Sequence, residues 1–270
     1  MKKIVLVTGA SAGIGKETAK HLAANGYTVY GAARRLDKMR DLTPLGIKCI
    51  ELDVTNEASM VSCVNNIIAA EGRIDILINN AGFGSYGAVE DVSMETAKYQ
   101  MEVNLFGATR LMQLCIPHMR AENWGKIVNI SSIGGKLAGP FGAWYHASKF
   151  AIEGLSDSLR NELRQFGIDV IVIEPGGIKS EWSGIAFDSM LKSSGDGVYG
   201  SMVQKFVKAY TGMEKKNPGP IVIAELILKA LKADKPKTRY HAGYMAAPAL
   251  FMRKILSDKL LDRVTMSTIK

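Results

Sequence analysis

The chain has 270 residues, 47% hydrophobic and 22% charged, enough apolar material for a buried core, which excludes an intrinsically disordered chain. At about 150 residues per domain the length corresponds to roughly 1.8 domains, leaving one large domain or two modest ones. The net charge of +8 (34 basic, 26 acidic) is concentrated in residues 229–270, where ten Lys/Arg face three Asp/Glu and leave +1 for the rest; with no zinc-finger, RRM or helix-turn-helix pattern, no nucleic-acid partner is expected.

In chain order, Ile4 to Val7 is an apolar run that meets a glycine-rich turn, Thr8 to Gly15, after which Ile14, Thr18, Ala19, Leu22 and Ala23 recur at helical spacing. That is strand, turn, helix. Only four apolar residues follow Met1-Lys2-Lys3, against about 7 to 15 in a secretory signal. Strands are predicted at 28–32 and 47–52, a helix over 56–70 and a strand at 74–78. The longest stretch free of Asp, Glu, Lys and Arg, Ile76 to Val89, spans fourteen residues, short of the roughly 20 apolar residues of a spanning helix. Helical periodicity fills 94–119, a strand 126–130, a long helix 144–166 and a sixth strand 170–173. After Pro175-Gly176 the pattern weakens, and 177–220 is predicted as a mobile segment covering the substrate. A helix at 221–231, a short strand at 238–241 and one amphipathic helix within 248–266 complete the chain. This alternation predicts a single α/β domain over 1–270, doubly wound, with a mostly parallel seven-stranded sheet and helices on both faces. Cys49, Cys63 and Cys115 are odd in number and form no metal-spaced cluster, so they read as reduced thiols, no metal is expected, and a cytoplasmic location is.

The first turn, Thr8-Gly9-Ala10-Ser11-Ala12-Gly13-Ile14-Gly15, spaces its glycines G-x-x-x-G-x-G. Glycine permits a tight turn, close approach of the backbone to a pyrophosphate, and close helix–sheet packing. The helix N-terminus then holds the anion. In dinucleotide-binding units a carboxylate ending the second strand binds the ribose hydroxyls of NAD. This chain has Ala32-Ala33-Arg34-Arg35 there, which suits the 2′-phosphate of NADP, with Ser11 adding a hydroxyl. The alternative is that one or both arginines are solvated surface charges, Arg35 more than Arg34. Asp53-Val54 is placed to meet the adenine, and Asn80-Ala81-Gly82 to lie along the crevice.

Tyr145-x-x-x-Lys149 puts both side chains on one helix face, although about 0.8 such pairs arise by chance in this composition. Ser132 ends the fifth strand, at the carboxyl edge where open α/β sheets bind ligands. A serine there also serves as a plain turn former, and Asn104, disfavoured in a helical pattern, as a buried polar group. Tyrosine, with a pKa near 10, needs an adjacent cation to act as a base at neutral pH, and Lys149 supplies one.

Thr8-Gly9-x-x-x-Gly13-x-Gly15, Asn79-Asn80-Ala81-Gly82, Asn104, Ser132, Tyr145-x-x-x-Lys149 and Pro175-Gly176 stand in the order and spacing of the short-chain dehydrogenase/reductase family, which the sequence resembles over essentially its whole length. The resemblance implies a Rossmann fold and an NADP-dependent oxidoreductase interconverting a secondary alcohol and a ketone. Tyr145 is then the acid/base, Lys149 binds the nicotinamide ribose and lowers the tyrosine pKa, Ser132 binds the substrate oxygen, and Asn104 holds a relay water. Pro175, Gly176, Ile178 and Ser180 meet the carboxamide side of the cofactor; Ser180 stands where the family often has Thr. The carboxyl third is similar to the hydroxysteroid and retinol dehydrogenase-like branch, implying a bulky apolar carbonyl; the apolar Phe83, Phe141, Trp144, Phe187, Met190 and Met202 are the pocket candidates, half of which read equally as core. A homodimer or homotetramer is expected, and the basic C-terminal helix is a candidate for subunit or membrane-surface contact. A non-catalytic NADP sensor is the alternative reading.

Overall fold

In the computed structural model, which describes residues 2–269, the first apolar run becomes β1 (Ile4–Thr8), buried at all five positions. Unbroken burial of a β-branched run marks a central strand covered on both faces. The same holds for β4 (Ile76–Asn79) and β5 (Gly125–Ile130). With β2 (Thr28–Ala33), β3 (Lys48–Glu51), β6 (Ile168–Pro175) and β7 (Arg239–Ala242) they form one seven-stranded sheet, ordered β3-β2-β1-β4-β5-β6-β7. The expected mostly parallel sheet is parallel in all six ladders. Strand order reverses between β1 and β4, which opens a crevice at their carboxyl ends.

Strand residues alternate between two cores. Ile4 and Leu6 pack with α2 (Glu57–Glu71), α4 (Gly107–Ala121) and α5 (Ala143–Leu163), whereas Val5 and Val7 pack with α1 (Gly13–Ala24) and α8 (Ile221–Lys232). Helix boundaries follow capping chemistry. Asn56 opens α2 by accepting from the Ser59 amide at 2.9 Å, and Gly72 closes it at a φ of 72°. Ser93 opens α3 (Met94–Met101) by accepting from the Thr96 amide at 3.2 Å.

Three expectations are corrected. The continuous helix over 94–119 is α3, a π turn at Glu102–Phe106, then α4. The irregular cover over 177–220 holds two helices, α6 (Trp182–Ser194) and α7 (Gly200–Glu214). Their Ala186, Met190, Val203 and Phe206 are buried together with Tyr86, Phe141 and Tyr145, a helical spacing that intervening Gly and Ser conceal in the sequence. The single helix within 248–266 is two, α9 (Ala246–Ile255) and α10 (Asp258–Ser267), because the chain extends at Leu256 and Ser257. Residues Leu36–Leu45, unassigned from sequence, wind into 3₁₀ turns that bury Met39 and Leu42.

Candidate active site

The carboxyl ends of β1, β4, β5 and β6 open into a cleft of about 870 Å³. Gly9 and Gly13 make its first turn with φ of 68° and 54°, values that favour glycine. A Cβ on Gly15 would stand 2.5 Å from the Gly9 carbonyl oxygen. The N-terminus of α1 has no side-chain cap, so its first amides are free for an anion. Gly9, Ser11, Gly13, Ile14, Asn80, Ala81 and Gly82 line the cleft, as do Pro175, Gly176, Ile178 and Ser180 after β6. Thr8 and Gly15, expected among the cofactor contacts, lie behind it. The Thr8 hydroxyl accepts from the Asn80 and Ala81 amides, both at 2.9 Å, and donates to Ile78 O at 3.3 Å, which ties β1 to the loop after β4.

At one end of the cleft Arg34 and Arg35 follow β2, and Asp53 and Val54 follow β3. Arg34 Nη1 donates to the Tyr99 hydroxyl at 2.9 Å. Arg35 Nη2 donates to Ser11 Oγ at 3.4 Å and stands 3.9 Å from Glu181 Oε2. Asp53 turns into its own loop and accepts from the amide and hydroxyl of Thr55 at 2.9 and 2.8 Å. Free helix amides, a glycine turn with no room for a methyl at Gly15, and two guanidinium groups where NAD sites carry a carboxylate fit a phosphorylated dinucleotide.

Beside this arm, α5 presents Tyr145 and Lys149, each 8% exposed, to the end of β5. Lys149 Nζ donates to Ile130 O at 2.8 Å and lies 5.8 Å from the centre of the Tyr145 ring. Burial pushes the lysine down to about 8, against the attraction of Glu153. The same burial pushes Tyr145 up to about 12, against a hydrogen bond with Ser132. In the site without a dinucleotide, desolvation of the phenolate therefore outweighs the Ser132 hydrogen bond. Ser132 Oγ accepts from the Gly134 amide at 2.9 Å and lies 3.5 Å from Pro175 O. Asn104 sits in the π turn, a feature frequent at functional sites, and one layer behind the cleft. Its Oδ1 accepts from the Phe83 amide at 3.0 Å, while Nδ2 donates to Phe83 O at 2.9 Å and Ser148 Oγ at 3.0 Å.

Of the apolar pocket candidates, Phe83 and Phe187 line the cleft. Phe141, Met190 and Met202 pack in the cluster behind it, and Trp144 is not among the lining residues. Sequence reasoning missed Trp182, whose ring centre lies 4.9 Å from that of Tyr145 and 5.6 Å from that of Tyr86. A signal for it exists at Gly84, where a Cβ would collide with the indole. His146 was missed too. Its Nε2 accepts from the Gly139 amide at 3.1 Å and Nδ1 lies 2.9 Å from Gly134 O; burial lowers its pKa, so a neutral ring pins the loop after Ser132 to α5. Phe206, Tyr210 and Met213 of α7, with Met252, Leu261 and Val264 of α9 and α10, complete the apolar arm.

Residues 3–189 match the family model described as short chain dehydrogenase, and the chain belongs to the short-chain dehydrogenase/reductase family. It is 36% identical to the probable short-chain type dehydrogenase/reductase VdlC of Helicobacter pylori, over 96% of this chain and 95% of that one. It is 36% identical to the 3-ketodihydrosphingosine reductase of Bacteroides thetaiotaomicron (89% and 88%) and 32% identical to the NADPH-dependent 3-dehydrocapnine reductase of Ornithobacterium rhinotracheale (99% and 98%). Among solved structures, a short-chain dehydrogenase from Streptomyces avermitilis superposes with a TM-score of 0.78 at 31% identity, covering 99% of this chain and 94% of that one. A metagenomic short-chain oxidoreductase in complex with NADP superposes with 0.70 at 27%, covering 89% and 96%. The protein is therefore an NAD(P)-dependent oxidoreductase of this family.

Proposed function

We propose that the protein is an NADPH-dependent reductase that converts the ketone of a long-chain apolar molecule to a secondary alcohol. The observation that carries this reading is a buried Tyr145, protonated at neutral pH, beside Ser132 and Lys149 between a cationic arm and an apolar arm of one cleft. The dinucleotide, when bound in the cationic arm, supplies the hydride. Tyr145 and Ser132 hold the carbonyl oxygen. As negative charge grows there, Tyr145 gives up its proton and Ser132 donates a hydrogen bond. Lys149 favours the transient phenolate and orients the nicotinamide ribose. The side chain of Asn104 is engaged by Phe83 and Ser148, and the relay water that the family resemblance assigns to this residue is part of the proposal. Arg34, Arg35 and Ser11 read the 2′-phosphate and set the preference for NADP over NAD.

Two relatives named as reductases of 3-keto compounds, dihydrosphingosine being a long-chain amino alcohol, favour a long-chain ketone over a steroid- or retinoid-like one. Both would meet the same apolar lining from α6, α7, α9 and α10. Loss of NADPH absorbance with 3-ketodihydrosphingosine, a 3-ketosteroid and retinal separates the readings. The long-chain ketone is expected to have the highest kcat/KM. A higher value for the steroid or retinoid overturns the chain-length assignment, and no turnover with any carbonyl supports the sensor.

A further inference from the structure

The C-terminal helices have two unlike faces. Leu261, Val264, Thr265 and Thr268 line the cleft at i, i+3, i+4, i+7 spacing, together with Ala249 and Met252 of α9. The hairpin is held by buried Ala246 and Ala249 at one end and buried Ile269 at the other. Its corner lies at half-buried Leu256 and exposed Ser257. Around that corner Phe251, Ile255 and Leu260 are 62%, 58% and 44% exposed. Lys254, Lys259 and Arg263, also exposed, alternate with them and have no ionic partner among the described residues. Arg253 is paired with Asp258 at 2.6 Å.

We propose that this corner docks on an anionic lipid surface, placing the α9–α10 wall of the cleft against the bilayer from which the substrate enters; the substrate-entry half rests on the long-chain reading above. Apolar side chains interleaved with cations on a helical face match the headgroup boundary, where the former enter the acyl edge and the latter meet anionic lipid. A second copy fits this face less well, because a two-fold contact brings one net basic surface against another: of the α10 acids, Asp258 is already paired with Arg253 and Asp262 is the other. Continuity with the cleft argues for lipid as well: α9 and α10, whose outer residues are exposed apolar, supply through their inner residues one wall of the apolar arm.

The test is co-sedimentation of the full chain with phosphatidylcholine vesicles containing about 30% phosphatidylglycerol, and with phosphatidylcholine alone, at low and high salt. The wild type is expected to bind the anionic vesicles at least about tenfold more tightly than the neutral ones, and less tightly as salt rises. Phe251→Asp/Ile255→Asp and Lys254→Glu/Lys259→Glu are each expected to lose about tenfold or more in binding, with unchanged NADPH affinity. Rates with long-chain ketone carried in those vesicles should fall with binding, while those with a short water-soluble ketone do not. Equal binding to both vesicle types, or variants that bind as the wild type does, overturns the proposal. So does wild-type self-association, by sedimentation velocity, that Phe251→Asp/Ile255→Asp abolishes, since the occupant is then a second copy. Vesicle binding is read without ketone, so failure to reduce a long-chain ketone refutes the proposed function and leaves the docking surface standing.

Discussion

Burial drives Tyr145 and Lys149 in opposite directions, and each shift has a kinetic consequence. With its pKa near 12, Tyr145 keeps its proton through neutral pH, the state a general acid needs. Tyr145→Phe is expected to lower kcat for ketone reduction about 10²- to 10⁴-fold while NADPH affinity, measured by fluorescence titration, stays the same; a variant keeping a tenth of kcat would exclude Tyr145 as the acid. Lys149 loses its charge as pH rises through about 8, well before the tyrosine ionises. The pH profile of kcat/KM, which reports free-enzyme groups, should therefore bend downward near 8, and a flat profile to pH 10 would show that the cation is dispensable. Cofactor choice can be tested at Ala33 and Arg34. Ala33→Asp/Arg34→Ala introduces a carboxylate that would repel a 2′-phosphate and removes the guanidinium proposed to bind it. A charged hydrogen bond contributes about 1.5 to 3 kcal/mol, so the native NADPH-to-NADH ratio of kcat/KM should be about ten- to a hundredfold and should invert in the double variant. A ratio that does not move places the phosphate elsewhere.

Between elements, the β1–α1 turn shows tertiary contact overriding helix propensity. Glycine inside a helix is ordinarily worse than alanine by about 1 kcal/mol, so Gly15→Ala would be stabilising on local grounds alone. Here the added methyl meets the Gly9 carbonyl, which cannot retreat because Asn80 Nδ2 donates to Thr8 O at 2.9 Å and holds the turn. The variant is expected to lower the thermal midpoint and weaken NADPH binding together; an unchanged or raised midpoint would show that the turn yields. The π turn between α3 and α4 follows the same logic, since it lets Asn104 satisfy both Phe83 main-chain groups and Ser148 at once.

Across the whole molecule, β6, β7 and α5 meet in a buried charge cluster beneath the site. Glu153 Oε2 accepts from Lys136 at 2.8 Å and from Arg239 Nε at 2.9 Å, and Glu174 Oε1 lies 3.6 Å from the same Arg239 nitrogen. Burial first, and the neighbouring Glu153 second, push the Glu174 carboxyl up to about 7. An unfolded glutamate titrates near 4.3, so between these values the folded state binds more protons. The stabilisation is complete below the unfolded value and is lost as pH rises through about 7. Glu174→Gln should therefore melt above the wild type at pH 8 and with a smaller advantage at pH 5.5. A variant whose midpoint differs from wild type by the same amount at both pH values would show that Glu174 does not titrate in this range.

Much of this architecture is local information. The buried run of β1, the glycine turn after it, the absence of a carboxylate at Ala33 and Arg34, and the four-residue step from Tyr145 to Lys149 are visible in sequence because strand period, helix period and glycine's freedom at positive φ follow from covalent geometry. Seven parallel strands follow from their alternation with helices, whereas the strand order that opens the crevice between β1 and β4 does not, because more than one doubly wound order shares that alternation. Other features depend on residues far apart in the chain. The break between α9 and α10, the helices of 177–220, and an apolar arm assembled from Phe187, Tyr210, Met252 and Leu261 share no common spacing. The sign of the Tyr145 shift belongs here as well. The sequence places a cation four residues away, but Trp182 and Tyr86 close over the phenol only in the folded chain, and the dielectric they impose, a property of packing density around one atom, decides which form of the tyrosine the protein holds.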